Sequence, residues 1–202
     1  TSEAKEIIKE EIGEKYYSKI KNISEPIAAA SIAQVHFAKI KSSNTEIDVA
    51  VKVLRPEIEK IINQEMERLE WLTTFMENFT EFQRLRPNSI IKKAKEVIKF
   101  ELDLRYEAAA ASELSENTNM DESFYVPKVY WDKVTQKILT MEKIIGVPAD
   151  KIDELNEKKV NKKQAAENLI INFLRQSIRD GYFHADLHQG NLFLNPKGKL
   201  LA

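Results

Sequence analysis

The segment from His184 to Asn191 places a histidine, a carboxylate and an amide at HxDxxxxN spacing, with Asp186 as the carboxylate. In-line phosphoryl transfer suits this set, because a carboxylate can orient the attacking hydroxyl while a nearby amide oxygen turns back toward a magnesium ion. Two other interpretations stay open. The segment could be a polar loop between helices in which Asp186 acts as a cap. It could also be a metal site made of His184, Asp186 and His188, although these three ligands leave the coordination incomplete.

Lys52 ends a short apolar run that begins at Val49. Alternate side chains of a strand point to opposite faces, so Lys52 can reach a cleft while its neighbours pack in the core. Because Lys52 lies upstream of the His184–Asn191 segment, we expect it to hold a phosphate group. The alternative is a lysine that only extends its amine into solvent over apolar neighbours.

Three carboxylates, Glu101, Asp103 and Glu107, fall within a stretch that we expect to be one long helix over residues 87–117. Helical geometry would stack Asp103 and Glu107 on one face and leave Glu101 to pair with Arg105. Stacked like charges are tolerated more easily when a cation lies over them. The alternative interpretation is an ordinary solvated charged face.

Glycines are scarce, which limits how the chain can bind a nucleotide. Only five occur, and no two lie within seven residues of each other. Nucleotide-binding loops of the usual kinds need closely spaced glycines, so each is excluded in its usual form. The segment from Pro26 to His36 has alanines where such a loop would be, and alanine still lets backbone N–H groups face a phosphate while restricting positive φ.

The composition excludes several classes of protein. The 202 residues contain no cysteine, which rules out disulfides, thiolate metal sites and cysteine nucleophiles. A net charge of -1 gives no support for nucleic-acid binding. The longest apolar stretch, residues 26–33, is far shorter than the ~20 residues of a membrane-spanning helix, and no signal segment opens the chain.

The expected elements give an α+β fold. An amphipathic helix over residues 3–20 precedes a β-hairpin with strands at 32–40 and 47–54. Long helices follow from Pro56 and from Pro87, and two short strands lie near residues 124–130 and 137–141. A third long helix runs from Asn161 to Gly181, and a pair of short strands closes the sequence.

These residues resemble the UbiB family of atypical kinases, which is linked to ubiquinone biosynthesis. The resemblance covers nearly the whole chain and rests on four segments: Ala28–His36, Val49–Lys52, Glu101–Ala108 and His184–Asn191. It implies a protein-kinase-like bilobed fold with a small antiparallel sheet in the N-lobe, long inserted helices and a helical C-lobe. The N-lobe-like region would cover residues 1–143, and a partial C-lobe with the catalytic loop would cover residues 144–202.

The resemblance also implies ATP or ADP with Mg²⁺ and assigns roles by position. Lys52 would contact the phosphates and pair with Glu107, and Asp186 would be the catalytic carboxylate. The metal ligands would be Asn191, Glu101 and Asp103, the last two forming the family's ExD element. The nucleotide would be contacted by the alanine-rich loop, Lys52 and the hinge, that is by Ala28, Ala29, Ala30, Ser31, Ile32, Ala33, Gln34, Val35, His36, Lys52 and Glu142.

The same resemblance leads us to expect a fragment of a longer protein. The family's KxGQ helices would precede residue 1, and its DFG aspartate would follow Ala202. We expect the fragment to be soluble, and the full-length protein to be membrane-associated on a cytoplasmic or matrix side. Its partners would be a nucleotide, a lipid or quinone precursor and a ubiquinone-biosynthesis protein complex, without nucleic acid.

Two further functions stay open. Residues 186–191 also resemble small-molecule phosphotransferases of the aminoglycoside and choline kinase type, which lack the alanine-rich loop and the ExD element. The crowded alanine-rich loop is in turn compatible with a non-catalytic scaffold that responds to nucleotide or lipid.

Overall fold

The structure, a computed structural model, describes residues 2–29, 31–42, 45–185 and 187–202. The strands are, in chain order, β1 (Ile20–Lys21), β2 (Pro26–Ala29), β3 (Ala33–Ser42), β4 (Thr45–Leu54), β5 (Phe124–Tyr125), β6 (Ile138–Glu142), β7 (Val147–Pro148), β8 (Phe193–Leu194) and β9 (Leu200–Leu201). The helices are α1 (Ser2–Ile12), α2 (Glu14–Tyr17), α3 (Ile58–Met76), α4 (Thr80–Gln83), α5 (Pro87–Glu101), α6 (Leu104–Asn117), α7 (Ile152–Glu157) and α8 (Lys162–Leu174). A 3₁₀ turn covers Trp131–Lys133, and a π-helical turn covers Arg175–Asp180. The expected α+β class is confirmed.

A five-stranded antiparallel sheet occupies the first part of the chain, in the order β1-β3-β4-β6 with β2 also paired to β3. The predicted hairpin is confirmed as β3 and β4, which pair from Ala33 opposite Leu54 to Ser42 opposite Thr45. The predicted turn residues Ser43 and Asn44 lie outside the described residues. Val49, Val51 and Val53 of β4 are buried whereas Asp48, Ala50 and Lys52 are less buried, and this alternation is typical of a strand with one face in the core.

The two faces of this sheet meet different helices. Val49, Val51 and Val53 of β4 are buried against Ile8 and Ile12 of α1. The other face packs on α6, through a cluster that contains Ala33, Leu54, Leu104, Ala108 and Leu139. Because strand residues alternate between faces, even-numbered residues of β4 point toward α6.

The N-terminal helix is shorter than predicted. We expected one helix over residues 3–20, but α1 ends at Ile12 and a short α2 follows. Gly13 between them has φ of 76°. This left-handed conformation suits glycine and interrupts the helical path.

The single helix predicted for residues 87–117 is wrong, because the chain forms α5 and α6 with a break at Leu102 and Asp103. Asp103 is extended, and its side chain accepts a hydrogen bond from the N–H of Arg105. An aspartate in this role caps a new helix, and the cap outweighs the continuous helical pattern. Helix α5 also packs against α3, where Lys95 Nζ lies 3.2 Å from Glu70 Oε1.

A four-stranded sheet of order β5-β9-β8-β7 occupies the second part of the chain. Its core joins Phe124, Val147, Leu194 and Leu200 to Leu114 of α6. Strand β5 lies before residue 143 in the chain. It nevertheless belongs to this second sheet, whose other three strands all come after residue 143.

The predicted start of α8 is confirmed, since the Asn161 side chain accepts a hydrogen bond from Gln164 N at 3.0 Å. The helix was expected to continue to Gly181. The helical path does stop at Gly181, whose φ of 66° makes a left-handed cap, but α8 itself ends at Leu174 and Arg175–Asp180 is π-helical. In the described part of the chain, no helix is long and apolar enough to cross a membrane.

Gly198 lies in the turn between β8 and β9 and packs closely against the start of α8. We predict that this position tolerates no side chain. Its φ is 83°, and a Cβ atom there would lie 2.8 Å from Asn161 O and 2.9 Å from Ala165 N. Gly198→Ala combines left-handed strain with a backbone clash, so we expect it to lower the free energy of unfolding by more than about 2 kcal/mol. Urea denaturation measures this change.

Gly13→Ala is the matched control, because Gly13 has φ of 76° but no described atom within 4 Å of the point where a methyl group would lie. It should lose only the left-handed strain, about 1 kcal/mol. Equal losses in the two variants would contradict close packing at Gly198.

Candidate active site

Lys52 and Glu107 form an ion pair between β4 and α6. Lys52 Nζ lies 2.6 Å from Glu107 Oε2 and 2.9 Å from Oε1, so the amine contacts both carboxylate oxygens. Lys52 points toward α6 because it is an even-numbered residue of β4, and buried Ala108 brings the helix close to the sheet. The two side chains stay 28% and 45% exposed, so the pair is accessible from solvent. The structure thus brings these two predicted residues together.

The alanine-rich segment forms a β-hairpin rather than an open loop. Ala28 and Ala29 belong to β2 and pair with Val35 and Gln34 of β3. Val35 in turn lies opposite Lys52. The described residues of this segment all have negative φ, which alanine adopts without strain. Ala30, predicted to contact the nucleotide, lies outside the described residues.

Register divides the predicted nucleotide contacts between the two faces of the sheet. Ala33 and Val35 alternate onto the same face as Lys52. Ser31 and Ile32 precede β3, where Ile32 O accepts a hydrogen bond from Arg55 N. Gln34 and His36 lie on the opposite face.

His36 is fully buried on that opposite face. Its Nδ1 lies 2.9 Å from Ser24 O, and its Nε2 has no hydrogen-bond partner among the described residues. The positions of Gln34 and His36 therefore give no support to side-chain contact with a nucleotide beside Lys52.

Asp103 is held by Arg105. Arg105 Nε lies 2.9 Å from Asp103 Oδ1, and Nη2 lies 2.6 Å from Oδ2. These side-chain hydrogen bonds hold the pKa of Asp103 below its ordinary value. The predicted stacking of Asp103 with Glu107 and the predicted Glu101–Arg105 pair are both wrong, because Asp103 caps α6 and Glu101 ends α5.

This geometry limits how the ExD element could hold Mg²⁺. Carboxylate oxygens suit Mg²⁺, but both oxygens of Asp103 are taken by Arg105. A magnesium ion at Asp103 would therefore have to use the remaining lone pairs of these oxygens, beside the positive charge of Arg105. Glu101 is exposed at the end of α5. The metal role of the two carboxylates stays a prediction.

The segment that contains the predicted catalytic aspartate follows the π-helical turn. His184 N donates to Oε1 of Gln176, a fully buried residue, at 3.2 Å. Further along, Gly190 N donates to His188 Nδ1 at 3.0 Å, and Asn191 N donates to His188 O at 3.0 Å. The segment is therefore anchored at its start and folded into a turn at its end.

Asp186 lies outside the described residues, so its catalytic role and the alternative His184–Asp186–His188 metal site both stay predictions. Within the described part of the chain, no group of three or more acidic or histidine side chains is arranged to hold a metal ion.

Glu142 ends β6 opposite Val49. Its backbone N–H donates to Lys128 O at 2.8 Å, and its carboxylate accepts hydrogen bonds from the Tyr125 hydroxyl and from Lys128 N. Burial, together with the hydrogen bond to Glu142, raises the pKa of Tyr125 to about 12.

Tyr125 and Gln176 contact predicted site residues and were missed in the sequence, whereas Arg105 was assigned to the wrong partner, Glu101 instead of Asp103. Arg105 has a local signal, because Asp-x-Arg at a helix start allows both capping and pairing. Tyr125 and Gln176 have none, because their contacts depend on tertiary packing.

We predict that the Lys52–Glu107 pair contributes little to stability. Both side chains are partly exposed, and exposed ion pairs are typically worth about 0.2–1 kcal/mol. Glu107→Gln and Lys52→Ala should each lower the free energy of unfolding by less than about 1 kcal/mol in urea denaturation. The matched control is Lys95→Ala, which breaks a similarly exposed pair between α3 and α5. A loss above about 2 kcal/mol for Lys52→Ala alone would contradict this prediction.

Asp103→Ala should lower the free energy of unfolding by about 0.5–2 kcal/mol, because it removes the cap of α6. Asp103→Asn should lose less, since an amide oxygen can still accept from Arg105 N. Glu101→Gln, the control at the other ExD carboxylate, should stay within about 0.5 kcal/mol of the wild-type value.

The ionised form of Asp103 gives this cap a pH dependence. Its folded-state pKa is depressed, so its contribution is present above the ordinary aspartate pKa and is lost as pH falls through the folded value. Urea denaturation of wild type and Asp103→Asn at decreasing pH should therefore give converging stabilities. A constant difference down to the most acidic pH would contradict this linkage.

Known proteins are similar to this chain in sequence and in fold. A family model described as "ABC1 atypical kinase-like domain" matches residues 1–202. A protein of Pseudomonas aeruginosa PAO1 named "Probable protein kinase UbiB" is 40% identical over 174 residues, which is 86% of this chain and 32% of that protein. Its namesake in Pseudomonas entomophila is 39% identical over 191 residues, covering 94% of this chain and 35% of the relative. The chain thus spans about a third of the length of these curated relatives.

Among solved structures, that of Rv3197 from Mycobacterium tuberculosis in complex with erythromycin resembles this fold with a TM-score of 0.77. It is 25% identical in sequence, and the match covers 99% of this chain and 49% of the other. The match over nearly the whole chain agrees with the expected protein-kinase-like architecture. The family model and these relatives together show that the chain belongs to the ABC1 atypical kinase-like family.

Proposed function

We propose that this chain is the nucleotide-binding part of an ATP-dependent atypical kinase or ATPase that supports ubiquinone biosynthesis. The Lys52–Glu107 ion pair carries the proposal. It presents a positively charged amine to solvent on the sheet face that also carries Val35 and Ala33 of the alanine-rich hairpin. Membership of a kinase-like family and the relatives' name support the same reaction class.

Each predicted residue has a role in this proposal. Lys52 binds the phosphates of ATP or ADP, and Glu107 keeps the amine directed at them. Asp186 accepts the proton of the attacking hydroxyl or water. Asn191 and the ExD pair, Glu101 and Asp103, bind Mg²⁺, which would neutralise charge on the transferred phosphoryl group.

The alanine-rich hairpin contacts the nucleotide through Ala28, Ala29, Ala30, Ser31, Ile32 and Val35, and the end of β6 at Glu142 contacts the base. We leave Gln34 and His36 out of the proposed contacts, since both side chains lie on the far face of the sheet, and we leave out Ala33, whose side chain is fully buried against α6. Gln34 and His36 would then help to position the hairpin instead of contacting the nucleotide.

We also propose a division into an N-lobe-like region, residues 1–143, and a partial C-lobe, residues 144–202. The different sheets in the two regions support it, with β5 as the strand that crosses between them. For the full-length protein we propose membrane association on a cytoplasmic or matrix side. Its proposed partners are a lipid or quinone precursor and a ubiquinone-biosynthesis protein complex.

A second candidate is phosphotransfer to a small molecule. The specific observation in its favour is that Rv3197, which shares the fold over nearly the whole chain, was solved with erythromycin. The alanine-rich hairpin and the ExD element favour the first candidate, because small-molecule phosphotransferases of the aminoglycoside and choline kinase type lack both.

Calorimetry with full-length protein tests the nucleotide site. We expect Mg²⁺-dependent ATP binding that weakens by about ten- to a hundred-fold in Lys52→Ala, because a charge-assisted contact to phosphate is lost. Lys95→Ala, which breaks the α3–α5 pair, should bind ATP as tightly as wild type. Unchanged affinity in Lys52→Ala would overturn the proposed site.

Turnover distinguishes the candidate functions. Steady ATP hydrolysis that disappears in Asp186→Asn is expected for the kinase or ATPase. ATP binding with no turnover in any condition would favour a scaffold, and phosphorylation of a macrolide or amino alcohol in a substrate panel would favour the second candidate.

A further inference from the structure

Tyr125 is bonded to both sheets of the molecule. As part of β5 it pairs in parallel with Leu201 of β9, in the second sheet. Its hydroxyl donates a hydrogen bond to Glu142 Oε2, at the end of β6 in the first sheet. The side chain of one residue therefore connects the end of β6 at Glu142 to the second sheet. Strands β8 and β9 of that sheet come directly after the His184–Asn191 segment.

The tyrosine is held in place on the side of the second sheet. Its carbonyl oxygen accepts a hydrogen bond from Ala202 N at 3.1 Å, and Lys199 Nζ lies 5.5 Å from the centre of its ring. These contacts fix the backbone and the ring, so the hydroxyl is presented in one direction. A tyrosine hydroxyl is protonated at neutral pH and can donate, and burial with the hydrogen bond to Glu142 raises its pKa further, to about 12.

The other partner, Glu142, has few additional contacts that fix its carboxylate. Lys128 N lies 3.4 Å from Oε2, which is a long hydrogen bond. The backbone of Glu142 is held by its N–H bond to Lys128 O at 2.8 Å and by pairing with Val49. The Tyr125 hydroxyl is thus the side-chain donor to this carboxylate among the described residues.

We propose that Tyr125 is a positioning residue that holds the end of β6 at Glu142 in the orientation needed to bind the nucleotide base. This role rests on the proposed function, in which the end of β6 meets the adenine. Tyr125 acts through Glu142, and its hydroxyl bonds to Glu142 whereas Lys52 bonds to Glu107. Its loss should therefore weaken base recognition and leave phosphate recognition intact.

The experiment compares two ligands in full-length protein with Mg²⁺, namely ATP and inorganic tripolyphosphate, which has no base. Tyr125→Phe keeps the ring and removes the hydroxyl. We expect its ATP dissociation constant to rise three- to ten-fold, as for the loss of one hydrogen bond, with the tripolyphosphate dissociation constant unchanged. Calorimetry measures both constants.

Tyr130→Phe is the matched control, because Tyr130 lies near Glu142 and also has a raised pKa, due mainly to burial, but its hydroxyl makes no hydrogen bond to Glu142 in the described structure. It should bind both ligands as wild type does. In a double-mutant cycle, Tyr125→Phe should weaken ATP binding no further when Glu142 is already alanine.

The outcomes separate this role from the proposed function. Wild-type protein that binds no adenine nucleotide overturns the proposed function and this role with it. Wild-type ATP binding that is unchanged in Tyr125→Phe overturns the positioning role alone. An equal loss for ATP and tripolyphosphate, or additive effects in the cycle, would assign Tyr125 a general structural role and likewise overturn the proposal.

Discussion

The Lys52–Glu107 ion pair can form only while the sheet and helix α6 keep one distance and one relative rotation. On the sheet, the alternation of side chains from Asp48 to Val53 directs Lys52 toward the helix. On the helix, the cap at Asp103 fixes where α6 begins and so which residues face the sheet. Buried Ala108 then allows the close approach that a larger side chain would prevent. Packing determines the position of the charged pair, and the pair itself adds little to stability.

The hairpin and the direction of Lys52 could be predicted from sequence, because a two-residue period is read directly from apolar side chains. The break before α6 could not, because residues 87–117 keep a helical pattern across it and the cap of Asp103 competes locally with that pattern. His36 was misjudged for another reason. The predicted strand over residues 32–40 already includes it, but the family resemblance assigned it to the nucleotide through the alanine-rich loop, whereas alternation along β3 turns its side chain into the core. The Tyr125–Glu142 contact depends on the relative position of the two sheets, which no local sequence pattern predicts.

The segment from Pro26 to His36, in which Val35 lies opposite Lys52, has alanines in place of glycines at little conformational cost. Glycine is needed where φ is positive or where the backbone must approach a ligand more closely than a methyl group allows. The described residues from Pro26 to His36 are extended or have negative φ, so the first requirement does not arise for them. The second requirement does arise, since a methyl group stands where a nucleotide would approach the exposed Ala28. The segment is thus well suited to a hairpin and less suited to close backbone contact with phosphate.

The register of β3 and β4 also constrains how this sequence can vary in length. Residues added between Ser42 and Thr45, where the two strands meet, leave the pairing of Val35 with Lys52 untouched. A single residue inserted between Thr45 and Lys52 reverses the parity of part of the strand and forces either a bulge or an exchange of buried valines for charged side chains. Insertions and deletions among natural relatives should therefore accumulate at the tip of the hairpin and be selected against within β4.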